Sequence, residues 1–140
     1  MKALLYNAPG LSAVLQYIDV PDPTPGARDV IIQVAATALN HLDVVQRNGW
    51  YEMPGMSLPH IAGMDVVGTV AAVGRDVSRV KIGDRVVVDP SLSEVPTESK
   101  LSGMGDIYGA LGVIGATVAG GYAELCLVPE THVHHLPEEL

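Results

Sequence analysis

Residues 59–74 read PHIAGMDVVGTVAAVG, and residues 80–86 read VKIGDRV. The valine-rich run at 66–73 predicts a β-strand, and Gly68 and Gly74 stand where a strand bulges or ends. The second stretch leads through Gly83 into another strand candidate at 85–88. Short strands with glycine at their ends or at bulges therefore form the centre of the predicted fold.

The sequence on either side of this centre adds more short elements. Strands are predicted at 1–6, 13–20, 29–39 and 122–128, and the β-branched run in the third of these predicts burial on both faces of its first half. A short helix is predicted at 40–47, because Asn40 is a good N-cap residue and Asn48-Gly49 ends the helical pattern. The chain is therefore predicted to be mainly β, a partly open β-barrel with one or two short helices.

Composition limits the classes of partner. The 140 residues are 48% hydrophobic, enough for the core of one domain. Only eight Lys and Arg residues stand in a chain of net charge −8, which argues against nucleic acid and anionic membrane as partners. The chain contains no long apolar run, and the single Cys126, mid-strand between leucines, predicts a reduced core cysteine. A cytoplasmic location is expected.

Several motifs in a fixed order carry a family resemblance. The stretches at 59–74 and 80–86, GGYAE at 120–124, VPE at 128–130 and LPEEL at 136–140 together resemble the medium-chain dehydrogenase/reductase superfamily. The resemblance is to the N-terminal GroES-like, alcohol dehydrogenase-like catalytic domain of its zinc-independent, quinone-oxidoreductase-like branch. It implies that residues 1–140 form this domain, and that a Rossmann nucleotide-binding domain for NADPH or NADH follows Leu140.

The metal-binding positions of the zinc-dependent relatives carry other residues here. By resemblance, the catalytic zinc ligands would be a Cys at Asn40 and a His at Met64, the latter followed by Glu where this chain has Asp65. An amide and a thioether are poor zinc ligands. The prediction is that this chain provides no metal site.

The structural zinc lobe of those relatives would fall within residues 89–120. By resemblance its four cysteines map onto Glu94, Thr97, Lys100 and Tyr108, none of which is Cys, so a long and partly ordered loop is predicted. The glycine run at 109–115 has the form G-x-x-G-x-x-G, which is not a dinucleotide fingerprint.

The segment NHLDVVQRNGWY at 40–51 resembles the cofactor-proximal segment of zinc-free quinone oxidoreductases. The resemblance implies that Asn40 lies beside the nicotinamide ring or the substrate and donates to a carbonyl that gains negative charge. Asn40 is equally explained as a helix N-cap, and both roles can hold together. Tyr51 either hydrogen-bonds or protonates the same carbonyl, or packs at the mouth of a cleft.

Three further residues complete the candidate site. His41 stands where relatives contact the cofactor pyrophosphate, although a surface histidine is the simpler reading. Asp43 and Asp65 are expected to act as orienting carboxylates, tied to Arg47 or to backbone amides. The predicted catalytic residues are thus Asn40, Asp43, Tyr51 and Asp65, with Asn40 and His41 on the cofactor.

Two histidine features carry weaker hypotheses. His132 and His134 would point to one face of a strand, a spacing that suits adventitious metal, although a solvated edge explains them better. His60 is interpreted as a loop residue.

The functional hypothesis is that the complete protein reduces a quinone, an enone or a similar small carbonyl acceptor with NADPH or NADH and without zinc. The chain alone is expected to be inactive, with the Rossmann domain as its partner and homodimer formation through bare apolar surface. Two alternatives stay open: a zinc-type alcohol dehydrogenase with atypical ligands, and a non-catalytic binding or assembly module.

Overall fold

The computed structural model describes residues 1–51, 55–92, 112–137 and 139. Its strands are β1 Lys2–Tyr6, β2 Gln16–Asp19, β3 Asp29–Ala38, β4 His60–Ile61, β5 Asp65–Val73, β6 Arg85–Val88, β7 Ser91–Leu92, β8 Gly112–Val113, β9 Leu125–Pro129 and β10 Val133–His135. Helix α1 spans His41–Arg47, and two 3-10 turns cover Ser12–Val14 and Glu130–His132. No helix in these ranges is long and apolar enough to cross a membrane.

The strands form three antiparallel sheets. The largest has the order β10-β6-β5-β3-β9, the second the order β2-β1-β4, and β7 pairs with β8 alone. The large sheet curls into a half-barrel, and the described residues are mainly β with one short helix, so the predicted fold class is confirmed. The domain boundary proposed at Leu140 stays a prediction.

The curl of the large sheet comes from irregular pairing between β3 and β5. The register shifts between Ile31 and Ile32, where β5 has an extra residue, and again between Val34 and Ala36, where β3 has one, and such bulges bend the strands. Opposite the second shift, a Cβ on Gly68 would lie 2.1 Å from the Gln33 carbonyl oxygen. The glycine therefore stands where the two backbones approach closely, as the sequence indicated for a bulge.

The core lies inside this curl. The first half of β3 is buried as predicted, and the side chains of Val30 and Ile32 are fully excluded from solvent. Removing one such aliphatic side chain from water contributes roughly 1.5–3 kcal/mol. The cluster around them consists of Val66, Val70, Val80, Val86, Val88, Ile114, Cys126, Val128 and Val133. The prediction of Cys126 as a core cysteine is thus confirmed.

Several predicted boundaries were wrong. The segment 13–20 splits into the 3-10 turn and the exposed strand β2, and the strand predicted from 122 begins at Leu125. Strands β4, β7, β8 and β10 were not predicted, because two or three residues are too few to show a period. His132 lies buried in a 3-10 turn while His134 is exposed in β10, so the prediction that the two share one face of a strand was also wrong.

The segment 89–120 is described only at its two ends, where β7 and β8 pair. The positions Glu94, Thr97, Lys100 and Tyr108, and residues 109–111 of the glycine run, lie outside the described residues. Gly115 has a positive φ of 79° in a tight turn, and its N–H donates to the Val118 carbonyl at 2.9 Å.

Candidate active site

Helix α1 begins at His41, shortly after β3 ends at Ala38. Asn40 is extended, with φ −104° and ψ 154°, and holds the N-cap position, so the predicted start of the helix is confirmed. Gly49 adopts φ +75° just beyond the helix, a conformation that glycine adopts without strain. The side chains of the first turn are therefore presented at the end of β3.

Asp43 is the buried polar centre of this region, with 5% of its surface exposed. Its Oδ2 accepts the N–H of Asn40 at 2.8 Å and the hydroxyl of Tyr122 at 2.8 Å, and its Oδ1 accepts the N–H of Gly63 at 3.3 Å. A carboxylate can be buried when donors satisfy both of its oxygens. Two of the partners of Asp43 are therefore backbone amides, as one of the two predicted arrangements proposed.

Arg47, the other predicted partner of the carboxylates, is directed elsewhere. Its Nε donates to the Gly10 carbonyl at 3.2 Å, and its Nη2 donates to Asn48 Oδ1 at 3.0 Å. Arg47 is the last residue of α1, where its positive charge also suits the helix dipole. The predicted tie between Arg47 and the carboxylates was wrong.

Asn40 and Asp65 form a direct pair. The Asn40 Nδ2 group donates to Asp65 Oδ2 at 2.8 Å, and Asp65 is the exposed first residue of β5. This bond fixes which end of the carboxamide faces the carboxylate, and it leaves the second N–H of Nδ2 directed away from that bond. Three of the predicted residues, Asn40, Asp43 and Asp65, thus come together in one hydrogen-bonded group.

Tyr122 belongs to the same group, and the sequence did not indicate it. Its hydroxyl lies 2.8 Å from Asp43 Oδ2 and 3.3 Å from the Ala38 carbonyl. Burial raises the pKa of Tyr122 well above its ordinary value, and the hydrogen bond to the negative charge of Asp43 raises it further. The phenol is therefore a neutral donor at all physiological pH values.

Tyr51 and His41 are not drawn into this group. The Tyr51 side chain is 47% exposed beyond the end of α1, and His41 is exposed on the first turn. In the part of the chain that the structure describes, no hydrogen bond joins either side chain to Asn40, Asp43 or Asp65. Their predicted roles against a cofactor or substrate stay predictions.

The buried face of α1 is polar. Asp43 and Gln46 are its buried residues, whereas Leu42, Val44 and Val45 are only partly buried. Gln46 Nε2 donates to the Ala116 carbonyl at 2.5 Å, while the buried Oε1 has no hydrogen-bond partner among the described residues. The helix is therefore held by specific polar contacts as well as by apolar packing.

His60 is buried next to this helix, so its interpretation as a loop residue was wrong. It lies in β4, packs edge-on against Tyr6 with ring centroids 5.6 Å apart, and places Nε2 3.0 Å from the Gly115 carbonyl. Burial lowers the pKa of His60 below 6.5, and the bond to Gly115 opposes this only in part. A neutral imidazole that donates through Nε2 satisfies this arrangement.

A pocket of about 300 Å³ adjoins the polar group on the side of β1. Its walls are mostly apolar, including Leu4, Leu39 and Val44, and Asp43 and Tyr122 are among the polar residues that line it. The pocket does not include the Asn40–Asp65 pair, which lies at the start of β5.

The donor set offers little to a metal ion. Within residues 1–51, 55–92, 112–137 and 139, no group of three His, Cys, Asp or Glu side chains could hold one. Asn40 already uses Nδ2 as a donor to Asp65, and Met64 packs against Val113 and Ala116 in an apolar cluster. Amide nitrogen and thioether sulfur are unsuited to zinc, so the residues of this group do not fit that ion.

The structure combines a curled β half-barrel with a polar group where β3 leads into a short helix, the architecture expected of a GroES-like domain. Residues 26–138 match the family model of the alcohol dehydrogenase GroES-like domain. The chain belongs to this family, and with it to the medium-chain dehydrogenase/reductase superfamily, as the sequence motifs indicated.

Three relatives illustrate the similarity. An acryloyl-coenzyme A reductase of Sulfurisphaera tokodaii is 40% identical over 87 residues, which is 62% of this chain and 25% of that protein. A quinone oxidoreductase of Pseudomonas aeruginosa is 34% identical over 98% of this chain and 34% of its own length. The crystal structure of an NAD-dependent alcohol dehydrogenase superposes with a TM-score of 0.88 at 38% identity, covering all of this chain and 40% of that one. The chain thus spans a quarter to two fifths of these relatives.

Proposed function

We propose that the full-length protein is an NAD(P)H-dependent oxidoreductase that reduces a quinone, an enone or a similar small carbonyl acceptor without zinc. The observation that carries the proposal is the Asn40–Asp65 pair, in which a carboxamide of fixed orientation stands where zinc-dependent relatives are expected to hold their metal. Family membership and relatives named as reductases and dehydrogenases support a nicotinamide cofactor.

The residues of the site would act by orientation and polarisation. When bound, the reduced nicotinamide supplies the hydride. The second N–H of Asn40 donates to the carbonyl oxygen of the acceptor as negative charge builds on that oxygen. Asp65 holds the carboxamide in this orientation beforehand, so that little rearrangement is needed during the reaction. Asp43 fixes the backbone of Asn40 from the buried side.

Two surface residues have subsidiary proposed roles. His41, exposed on the first turn of α1, would contact the cofactor pyrophosphate. Tyr51, half-exposed beyond the helix, would hydrogen-bond or protonate the acceptor. Both roles depend on the residues that face His41 and Tyr51 in the full-length protein.

The chemistry of the relatives supports an unsaturated acceptor. An acryloyl group and a quinone both contain a carbonyl conjugated to a carbon–carbon double bond, and proteins with these substrates in their names are similar to this chain. A similar NAD-dependent alcohol dehydrogenase keeps alcohol oxidation as the second candidate. By resemblance, alcohol-oxidising relatives carry at the position of Leu42 a hydroxyl that starts a proton relay. Leu42 has no hydroxyl, and this disfavours alcohol oxidation.

We also propose that the chain needs the remainder of the protein for activity. Adding NADPH and 2-cyclohexenone to residues 1–140 alone should give neither turnover nor tight binding. Submicromolar binding of NADPH would contradict this dependence. Homodimer formation through bare apolar surface stays a prediction, which sedimentation analysis of residues 1–140 would test.

The decisive experiment for the function compares two asparagine variants of the full-length protein. Asn40→Ala should lower kcat for 2-cyclohexenone or 1,4-naphthoquinone by about 10²-fold, the cost of one lost transition-state donor. Asn48→Ala, at the other end of α1, changes the same residue type and should leave kcat unchanged. Equal effects of the two variants, or no NAD(P)H oxidation by the parent protein, would refute the proposal.

A further inference from the structure

We propose that Tyr122 is a positioning residue for the Asn40–Asp65 pair, an inference that rests on the function proposed above. Tyr122 contacts three segments that meet at the pair, namely the end of β3, the first turn of α1 and the residues that lead into β5. It touches neither Asn40 nor Asp65 through its hydroxyl, so it acts on them through its neighbours.

The first path runs through the phenol. The Tyr122 hydroxyl has a single proton, and its 2.8 Å distance to the negatively charged Asp43 Oδ2 favours this acceptor over the Ala38 carbonyl at 3.3 Å. The same Oδ2 accepts the backbone N–H of Asn40 at 2.8 Å. The phenol therefore sets the position of the oxygen that holds the backbone of Asn40.

The second path runs through the backbone. The N–H of Tyr122 donates to the Ala62 carbonyl at 3.0 Å, and the N–H of Gly121 donates to the Gly63 carbonyl at 2.8 Å. Gly63 has φ +101°, and a Cβ added there would lie 2.6 Å from Tyr122 Cδ1, so the ring packs directly on this residue. Asp65 follows two residues later, and Tyr122 thereby limits where Asp65 stands.

Asp43 joins the two paths. Its Oδ1 accepts the N–H of Gly63, while its Oδ2 accepts the N–H of Asn40 and the hydroxyl of Tyr122. The two segments that carry the pair are thus bonded to one buried carboxylate, and Tyr122 is its side-chain donor beside two backbone donors. Loss of the hydroxyl lets this carboxylate rotate, and both segments move with it.

Tyr122→Phe removes the hydroxyl but keeps the ring on Gly63 and the backbone bonds. In the full-length protein it should lower kcat for the NADPH-dependent reduction of 2-cyclohexenone by about tenfold, because small misplacements at a reacting centre are costly. The KM for NADPH should not change. The deuterium isotope effect from NADPH labelled at the transferred position should increase, because the hydride step becomes slower relative to the others.

Tyr6→Phe is the matched control. Tyr6 is a buried tyrosine, with 1% of its surface exposed, and its hydroxyl lies 3.8 Å from Met56 Sδ. The Tyr6→Phe variant should keep both the kcat and the isotope effect of the parent protein. If Tyr122→Phe lowers only thermal stability and keeps the parent kcat and isotope effect, Tyr122 is merely structural and the proposal is overturned.

A spectroscopic measurement tests the positioning without turnover. In full-length protein labelled with ¹⁵N-asparagine, the two Nδ2 protons of Asn40, assigned by their loss in Asn40→Ala, should differ widely in chemical shift because one bonds to Asp65. Tyr122→Phe should bring them closer together, and Tyr6→Phe should not. Unchanged Asn40 signals in Tyr122→Phe overturn the positioning role. If the parent protein has no reductase activity but its Asn40 signals respond to Tyr122→Phe as expected, the proposed function is refuted and the positioning role of Tyr122 stands.

Discussion

Replacing Asp43 by Asn tests whether the buried carboxylate holds the site together. The two side chains have almost the same shape, but Asn has one oxygen where Asp has two. Three donors, the N–H groups of Asn40 and Gly63 and the hydroxyl of Tyr122, point at these atoms. In its better orientation the introduced carboxamide accepts from Asn40 and Tyr122 and turns its NH2 group towards the N–H of Gly63.

The expected cost follows from these contacts. One buried donor loses its acceptor, at about 1–3 kcal/mol, and two charge-assisted bonds become neutral ones, at roughly 0.5–1 kcal/mol each. The removal of a buried charge offsets part of this loss. We therefore expect the free energy of unfolding to fall by about 2–4 kcal/mol, which at this chain length lowers Tm by roughly 8–16 °C.

Urea unfolding and thermal melts of the parent protein, Asp43→Asn and a control variant measure this loss of stability. Asp65→Asn is the control, since Asp65 is exposed and the introduced carboxamide still offers an oxygen to Asn40, so its cost should stay below about 0.5 kcal/mol. A loss below about 1 kcal/mol for Asp43→Asn, or equal losses for both variants, would show that Asp43 is not the centre of the group.

Three further predictions concern the barrel. The unfolded state binds a proton at His60 near pH 6.5 while burial lowers the pKa of the folded-state imidazole, so stability should fall as pH drops below about 6.5. Urea midpoints between pH 7.5 and 5.5 would show this, and His60→Gln should flatten the dependence. Burial raises the pKa of Cys126 to about 12, so DTNB at pH 8 should label the native protein about 10³-fold more slowly than a thiol of ordinary pKa. A rate within tenfold of that free thiol would contradict the burial. Gly68→Ala should cost more than about 3 kcal/mol in urea unfolding, because its Cβ would clash with a carbonyl. Gly83→Ala, at φ +94° with open space around it, should cost only about 1–2 kcal/mol, and equal costs would argue against the close approach.

The sequence predicted the long strands well because their burial repeats regularly. The valines of β5 and β6 alternate between buried and less buried positions, and the apolar start of β3 is buried throughout. Strands of two residues, such as His60–Ile61, exist because a partner strand lies beside them. Such pairing depends on tertiary structure and leaves no local pattern.

The candidate site was predicted in part. Asn40 and Asp43 lie three residues apart, so the predicted helix places them on one face. Asp65 is 25 residues from Asn40 and Tyr122 is 79 from Asp43, so only the curl of the sheet brings them together. Hydrophobicity alone does not indicate the buried face of α1, because hydrogen bonds allow Asp43 to be buried while the neighbouring Val44 is only partly buried.

The proposed reaction depends on a carboxamide held by a carboxylate in place of a metal ion. Its most direct test is the zinc content, measured by mass spectrometry, of tag-free full-length protein that actively reduces 2-cyclohexenone with NADPH. We expect full turnover with far less than one zinc per polypeptide, unchanged by dialysis against a chelator. One tightly bound zinc per polypeptide, with activity lost on its removal, would contradict the account.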